Sequence, residues 1–564
     1  MSASCVTLPS MGRMASGGIE QSEMPGVVKS QEISLKRSSS SVPPTPNPSQ
    51  PGEGGYVSAR FNMAAYAIGR AAAARPDAPA LLVIDDVAKP PAEVWTFAAL
   101  EDAVLRIAGG LKSAGLQPGA RMLIRLDNTS AYALLFFGAI AGGFVPLPTS
   151  TQLTGREARF LLDDSGATAL ALADNLGIDD VPSGVHFFSA EDIARMLREA
   201  PRGHYADTAA DDPAFLIYTS GTTAAPKGVL HAQRSAFGRR PMYQGWYDIG
   251  PDDRMLHAGA FNWTFTLGTG LTDPWANGAT AIIYTGEKDP ALWPRLIADT
   301  GATLFAAVPG VYRQILKYAK PSRGDLGVLR HGLMAGEGPP PGLLEEWERN
   351  TGRPLYEALG MSEISTYVSS GPHIPRRPGA VGKGQPGRRV AVLPADGGNE
   401  PLPAGEEGLL AVHRSDPGLM VGYWQRPDEE RPVYRGEWFV GGDLAVIDSD
   451  GYVFHRGRAN DLMKALGYRV SPLEVETVLL QHPSIAEVAC AEVRVRADVS
   501  IIAAFVVVHA GARANAAEIE RFAAEHLAAY KRPRAVAFVE ALPRTANGKI
   551  MRQALRLPEG FSTG

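Results

Sequence analysis

Two cysteines in 564 residues, Cys5 and Cys490, allow no disulfide framework and no cysteine-based metal cluster. Their scarcity fits a reducing compartment, and the chain reads as cytoplasmic. A basic excess is also missing, since 55 Lys and Arg stand against 60 Asp and Glu for a net charge of −5. A nucleic-acid partner would ordinarily want a basic face. Long apolar runs are absent too. The longest, Ala131 to Leu147, is interrupted by Gly138, Gly142, Gly143 and Pro146. It falls short of the ~18 residues of a spanning helix, so it reads as a core helix followed by a strand, with no transmembrane segment. Residues 1–55 lack Phe, Trp and Tyr altogether and are rich in Ser and Pro. Such a stretch buries too little surface to offset its ordering entropy, and a disordered tail is expected. It has no apolar signal-peptide core, and Glu20, Glu23 and Glu32 do not suit a transit peptide. Met63 is an alternative start.

From about Tyr56 the chain turns globular. Met63 to Ala74 reads as a helix, Ala80 to Ile84 as a strand, and Thr96 to Ala114 as an amphipathic helix. Met122 to Leu126 is another strand. Helix and strand patterns alternate to about residue 310, the pattern of α/β layers with largely parallel sheets. Residues 380–455 differ, with Gly- and Pro-rich turns between short strands, and suggest a small β-rich subdomain. From about Asn460 the order strand, helix, strand, strand, helix, strand suggests a compact α+β unit. The expected division is a tail (1–55), a large α/β domain (56–459) and a small mobile domain (460–564).

One stretch organises the rest. Tyr218-Thr219-Ser220-Gly221-Thr222-Thr223-Ala224-Ala225-Pro226-Lys227-Gly228 follows the apolar run Ala214–Ile217. Hydroxyls and backbone N–H groups donate to phosphate oxygens, and glycine lets the backbone come close. Lys227 adds a positive charge. The G-x-x-x-x-G-K-[ST] spacing of a P-loop is absent. A polar surface turn is the plain alternative, but so many hydroxyls beside a lysine suit a polyphosphate, most simply ATP. Further along, Glu363 in Gly360-Met361-Ser362-Glu363 offers a hard oxygen ligand for Mg²⁺, which in nucleotide sites takes one or two carboxylates plus phosphates. Asp443 follows a strand and two glycines, and a carboxylate binds a ribose diol well. Trp263 and Phe265, beside Asn262, offer flat apolar walls. Phe265 fits a core aromatic equally well.

The Tyr218–Gly228 segment closely resembles the signature loop of the adenylate-forming superfamily, which includes acyl-CoA synthetases, peptide-synthetase adenylation domains and luciferases. Other segments resemble its further motifs in order. The Gly336-Glu337-Gly338-Pro339 segment is similar to one that lines the adenine and acyl pocket. Residues 357–363 resemble the aromatic-Gly-x-Thr-Glu segment, with Leu359 in place of the aromatic and Ser362 in place of Thr; Glu357 sits where the adenine amino group is read. An aliphatic at the Leu359 position also occurs in benzoate-type aryl-CoA ligases. Gly442-Asp443 resembles the Thr-Gly-Asp motif. Gly457 to Pro472 resembles the segment in which Arg458 contacts ribose and phosphate, the Asn460 position is the hinge, and Lys464–Gly467 shapes a thiol tunnel. Pro543 to Lys549 resembles the motif whose lysine bridges carboxylate and α-phosphate.

The resemblance implies an ATP-dependent, Mg²⁺-requiring ligase. It would convert an aromatic, alicyclic or medium-chain acid to acyl-AMP and transfer the acyl group to CoA. Lys549, Glu363 and Lys227 would be catalytic. Thr219, Ser220, Gly221, Thr222, Thr223, Gly336, Glu357, Ser362, Asp443 and Arg458 would bind the nucleotide. Asn262, Trp263 and Phe265 would line the acyl pocket. Pro543 and Gly548-Lys549 also match members switched off when a lysine acetyltransferase modifies that lysine. Two alternatives stay open: a ligase that loads a carrier protein, and a non-catalytic nucleotide-binding regulator. The acid and the oligomeric state are not legible.

Overall fold

Thr96 begins the first long helix, Phe97–Ser113, by accepting the Ala99 backbone N–H on its hydroxyl at 3.2 Å. Leu100, Val104, Ile107 and Leu111, three or four apart, form its buried face. It packs on helix Ser130–Ala141 so closely that a Cβ at Gly138 would lie 2.4 Å from Ile107 Cγ2. The second helix is apolar all round and is buried accordingly. The strand Val145–Pro148 follows it, as the interrupted apolar run predicts. Each buried Leu or Ile of this pair contributes about 1.5–3 kcal/mol.

The computed structural model describes residues 57–219, 226–461, 463–465, 468–496, 499–544 and 550–558. The tail 1–55 lies outside them. Among the described residues no helix is long and apolar enough to cross a membrane.

A 14-stranded sheet spans most of the chain. In one half Pro79–Ile84, Thr280–Tyr284, Arg254–His257, Leu304–Ala307, His331–Met334 and Leu355–Met361 run parallel. Thr280–Tyr284, Leu304–Ala307 and His331–Met334 are buried throughout, as strands covered on both faces are. In the other half Ser365–Ser369, Gly382–Gly384, Tyr452–Arg458, Trp438–Ile447, Glu407–His413 and Val390–Leu393 pair antiparallel. The β-rich stretch therefore has its own apolar core but continues the large sheet edge to edge. Strand Leu355–Met361 joins the halves. It pairs parallel with His331–Met334 through Leu355 to Glu357, then antiparallel with Ser365–Ser369 from Ala358.

A four-stranded parallel sheet holds Val145–Pro148, Arg121–Arg125, Ala169–Leu172 and His186–Phe188. A three-stranded antiparallel sheet holds Gly422–Tyr423, Lys227–Ala232 and Pro213–Thr219. The last part of the chain begins with a hairpin, Met463–Ala465 and Tyr468–Val470. Helices Pro472–Leu479 and Ala516–His526 then pack with strands Ile485–Arg496, Val499–Val508 and Ala535–Phe538 around a separate core.

Candidate active site

The predicted nucleotide residues that are described gather where the large sheet changes from parallel to antiparallel. Thr219 and Lys227 face each other at the end of an antiparallel hairpin. Residues 220–225, and with them Ser220, Gly221, Thr222 and Thr223, lie outside the described residues. The Lys227 ammonium stands 3.8 Å from the centroid of the Tyr423 ring. The Tyr423 hydroxyl donates to Glu363 Oε1 at 2.7 Å. Tyr423 is 6% exposed, and burial pushes its hydroxyl far above the usual range, so it stays a neutral donor. One side chain thus links the lysine of the expected phosphate loop to the carboxylate expected to hold the metal.

Sequence reasoning missed Tyr423. It belongs to a two-residue strand, Gly422–Tyr423, that pairs with Leu230 and Val229. The apolar run Leu419-Met420-Val421 ahead of Gly-Tyr was the only local signal. Glu363 and Tyr423 are 60 residues apart in sequence.

Asp443 and Arg458 occupy directly opposed positions on neighbouring antiparallel strands. Arg458 Nε lies 3.0 Å from Asp443 Oδ1, and His455 Nε2 lies 3.0 Å from the same oxygen. Arg458 also donates to the Gly441 carbonyl at 3.1 Å. Asp443 is 2% exposed, and its charge raises the Arg458 guanidinium further. The two glycines before Asp443 have distinct uses. Gly442 takes φ +85°, a left-handed conformation, while a Cβ at Gly441 would lie 2.2 Å from Met361 Cε. The second contact seats the Asp443 strand on the Gly360–Glu363 segment. His455 is a further residue that sequence reasoning missed, brought there by the strand register.

On the parallel side, Glu357 is half-buried, and burial pushes its carboxyl up to about 8. Its backbone N–H donates to Ser370 Oγ at 3.1 Å. No side-chain partner for Glu357 occurs among the described residues, which leaves the carboxyl for a ligand. Gly336 takes φ +102°, and a Cβ there would lie 3.4 Å from the Trp263 ring. Trp263 therefore abuts the Gly336 turn. Asn262 and Trp263 are half-buried, whereas Phe265 is 9% exposed and packs on His257 and Trp246, with ring centroids 4.4 and 5.9 Å away. Phe265 is part of the main core. Ser362 contributes its backbone: its carbonyl faces His231 Nε2 at 2.8 Å.

The later motifs enter from the end of the chain. Asn460 lies in the single turn Ala459–Asp461 that follows the Arg458 strand. Lys464 pairs with Arg469 in the short hairpin, and Gly467 lies outside the described residues. Lys549 also lies outside them. The residues around it are described: Arg544 and Ile550 form an antiparallel bridge that brackets 545–549. Arg544 stands 3.8 Å from Glu337 in the Gly336–Pro339 turn and 2.8 Å from Glu487, which also meets Arg313 at 3.1 Å. The base of the Lys549 segment thus adjoins the Gly336–Pro339 turn.

No cluster of three or more His, Cys, Asp or Glu able to hold a metal occurs among the described residues. A lone carboxylate such as Glu363 suits an ion that arrives on a nucleotide and keeps mostly phosphate and water ligands.

Comparison with known proteins shows the family to which the chain belongs. Residues 68–424 match the family model of the AMP-binding enzyme, and residues 474–549 match that of the AMP-binding enzyme C-terminal domain. The chain is 31% identical over 480 residues to a benzoate–CoA ligase of Thauera aromatica, covering 82% of this chain and 90% of that one. It is 31% identical over 496 residues to the mitochondrial acyl-coenzyme A synthetase ACSM5 of Homo sapiens, covering 82% and 84%. The structure of an anthranilate CoA ligase, AuaEII, in complex with anthranoyl-AMP superposes with a TM-score of 0.79 at 27% identity, covering 88% of this chain and 97% of that chain. The chain belongs to the AMP-binding enzyme family and stands among its adenylate-forming acid–CoA ligases.

Proposed function

We propose that the protein activates an aromatic, alicyclic or medium-chain carboxylic acid as its acyl-AMP and transfers the acyl group to CoA in the cytoplasm. The observation that carries this reading is the line from Lys227 through Tyr423 to Glu363, lying beside the Asp443–Arg458 pair. It sets a cation and a carboxylate where a triphosphate would lie, next to a carboxylate suited to the ribose diol.

In the first half-reaction a carboxylate oxygen attacks the α-phosphorus of ATP. The bond to the bridging oxygen breaks, and pyrophosphate leaves. Lys227 holds the phosphates and Glu363 fixes the metal side, with Mg²⁺ supplying charge neutralisation when bound. Lys549 would stabilise the negative charge that carboxylate and α-phosphate share. Arg544 at Glu337 supports this, because it brings the base of the lysine segment to the adenine-side turn. In the second half-reaction the CoA thiolate attacks the acyl carbonyl and AMP departs. A mixed anhydride is already activated, so no separate nucleophile is needed.

Asp443 and Arg458 would hold the ribose, and Glu357 the adenine amino group. Asn262 and Trp263 would border the acyl group, with Trp263 against Gly336 as a flat wall. Asn460 would be the hinge, with Lys464 near the thiol path. The name of the benzoate ligase relative supports an aromatic acid, and that of the acyl-coenzyme A synthetase supports CoA as the acceptor.

The test is pyrophosphate release across benzoates, cyclohexanecarboxylate, cinnamates and C4–C12 fatty acids, with and without CoA. Thioester formation with free CoA is expected. Accumulation of acyl-AMP that only a carrier protein relieves would overturn the choice of acceptor.

A further inference from the structure

The turn that carries Glu363 is held from behind by buried polar groups that no nucleotide motif includes. Met361 and Ser365 pair across a hairpin whose loop is residues 362–364. Ser365 takes φ +71°. Three-residue hairpin loops commonly close on a left-handed residue, and glycine is the ordinary choice there. This chain uses serine instead. The facing strand comes so close that a Cβ at Gly360 would lie 2.3 Å from the Ser365 carbonyl oxygen.

The Ser365 hydroxyl accepts a hydrogen bond from Arg239 Nη1. The same guanidinium forks onto Asp273, with Nε donating to Oδ1 at 2.7 Å and Nη2 to Oδ2 at 2.6 Å. Arg239 is 7% exposed and Asp273 fully buried. Tyr247 donates to Asp273 Oδ2 at 2.8 Å. On the other side of Glu363, His231 is buried, and burial pulls its imidazole down to about 4. A neutral imidazole 2.8 Å from the Ser362 carbonyl must donate through Nε2–H. An ion pair in an apolar core is a poor source of stability compared with apolar residues of similar size. Its fork leaves Nη1 aimed at the turn.

We infer that Arg239, fixed by Asp273, and His231 are positioning residues that clamp the hairpin turn on both sides of Glu363 and so aim its carboxylate at the metal side of the nucleotide. This rests on the reading of Glu363 as the carboxylate that serves Mg·ATP.

Arg239→Ala would leave Asp273 buried without its cation, so the test falls on the contacts themselves. Ser365→Ala keeps the ion pair and removes only the clamp. It should raise the Mg²⁺ concentration for half-maximal pyrophosphate release by about tenfold, the equivalent of one charge-assisted hydrogen bond. Transfer from chemically made acyl-AMP to CoA should stay within about twofold. Ser365→Gly accepts the left-handed backbone without strain and should fall between wild type and Ser365→Ala. His231→Ala should behave as Ser365→Ala, and His231→Gln, which keeps a donor, should recover most of the loss.

Calorimetry of ATP binding gives a readout apart from turnover. The gain in affinity that Mg²⁺ brings over EDTA should shrink in Ser365→Ala, while affinity in EDTA is unchanged. Equal damage to both half-reactions, or an unchanged Mg²⁺ response in folded Ser365→Ala and His231→Ala, would overturn the inference. If Glu363→Gln leaves the Mg²⁺ response unchanged as well, the reading of Glu363 fails first.

Discussion

Asp443 is 2% exposed on a ten-residue strand, and Arg458 and His455, which meet its Oδ1, sit on the adjoining strand. Glu363 sits instead at the tip of a hairpin, and Lys227 at the end of another. Their link, Tyr423, comes from a two-residue strand. The proposed ribose end of the site is thus built into the sheet, and the proposed phosphate end is built on turns. In the proposed reaction the ribose keeps every bond while the phosphates break and form them. Strand-borne groups hold what stays fixed. Groups on turns, and by the proposal Lys549 from the last part of the chain, would meet what changes.

The largest effect that would break this comparison is at Lys549. Loss of one preorganised donor at a developing charge costs about 10²–10³-fold in rate, roughly 3–4 kcal/mol. Lys549→Ala should nearly abolish pyrophosphate release yet still convert supplied acyl-AMP to acyl-CoA. Acetylation of Lys549 should act alike, because it removes the charge. Measuring the half-reactions separately decides it: equal damage to both, or to neither, removes Lys549 from this role.

Next in size is the ribose end. Asp443→Asn keeps the shape but withdraws the charge that Arg458 and His455 face. One charge-assisted hydrogen bond is worth about 1.5–3 kcal/mol. The KM for ATP should rise about 10–100-fold, with a smaller change in kcat. A fall in kcat at constant KM would mean that the ribose end takes part in the chemistry, and the contrast between the two ends would be lost.

These two ends also differed in how far they could be read in advance. Asp443 and Arg458 each lie in a contiguous motif, and antiparallel pairing on neighbouring strands opposes them, with a register shift between Leu444 and Ala445. Sheet pairing makes such contacts legible. Tyr423, His231 and Arg239 come from separate segments and reach Glu363 or its turn only through tertiary packing. No spacing rule connects them. Alternation likewise fixed the parallel strands, but not that the β-rich stretch would extend the same sheet. At Trp263 and Phe265 the aromatic pattern showed apolar surface without showing which ring faces the pocket. The Gly336 contact draws Trp263 to the site, and His257 and Trp246 bury Phe265 in the core.

A smaller effect is expected at that wall. Trp263→Ala should shift preference toward bulkier acids by about tenfold in relative kcat/KM, the range that pocket size commands. The KM for ATP should hardly change. An unaltered acid profile in a folded variant would move the acyl pocket elsewhere.

The smallest effect concerns Glu357, on the parallel side of the site, and it is read through pH. Its carboxyl is raised by burial from 4.5 to about 8. In the unfolded chain it ionises near the ordinary value. Between the two values the folded protein keeps a proton that the unfolded chain has released. Stability must therefore fall as pH rises from about 4.5 to about 8, and this contribution must be flat outside that window. Glu357→Gln removes the titration. Relative to wild type, the variant should gain melting temperature between pH 5 and pH 8, and its difference from wild type should be constant below that range. A nucleotide adds a second sign. An adenine amino group donates to the carboxylate and favours the ionised form, so ATP binding near pH 7 should release protons from this residue. Calorimetry in buffers of different ionisation enthalpy would detect the release, and Glu357→Gln should abolish it. A melting difference independent of pH, together with proton release unchanged in the variant, would show that Glu357 neither carries the buried proton nor meets the base.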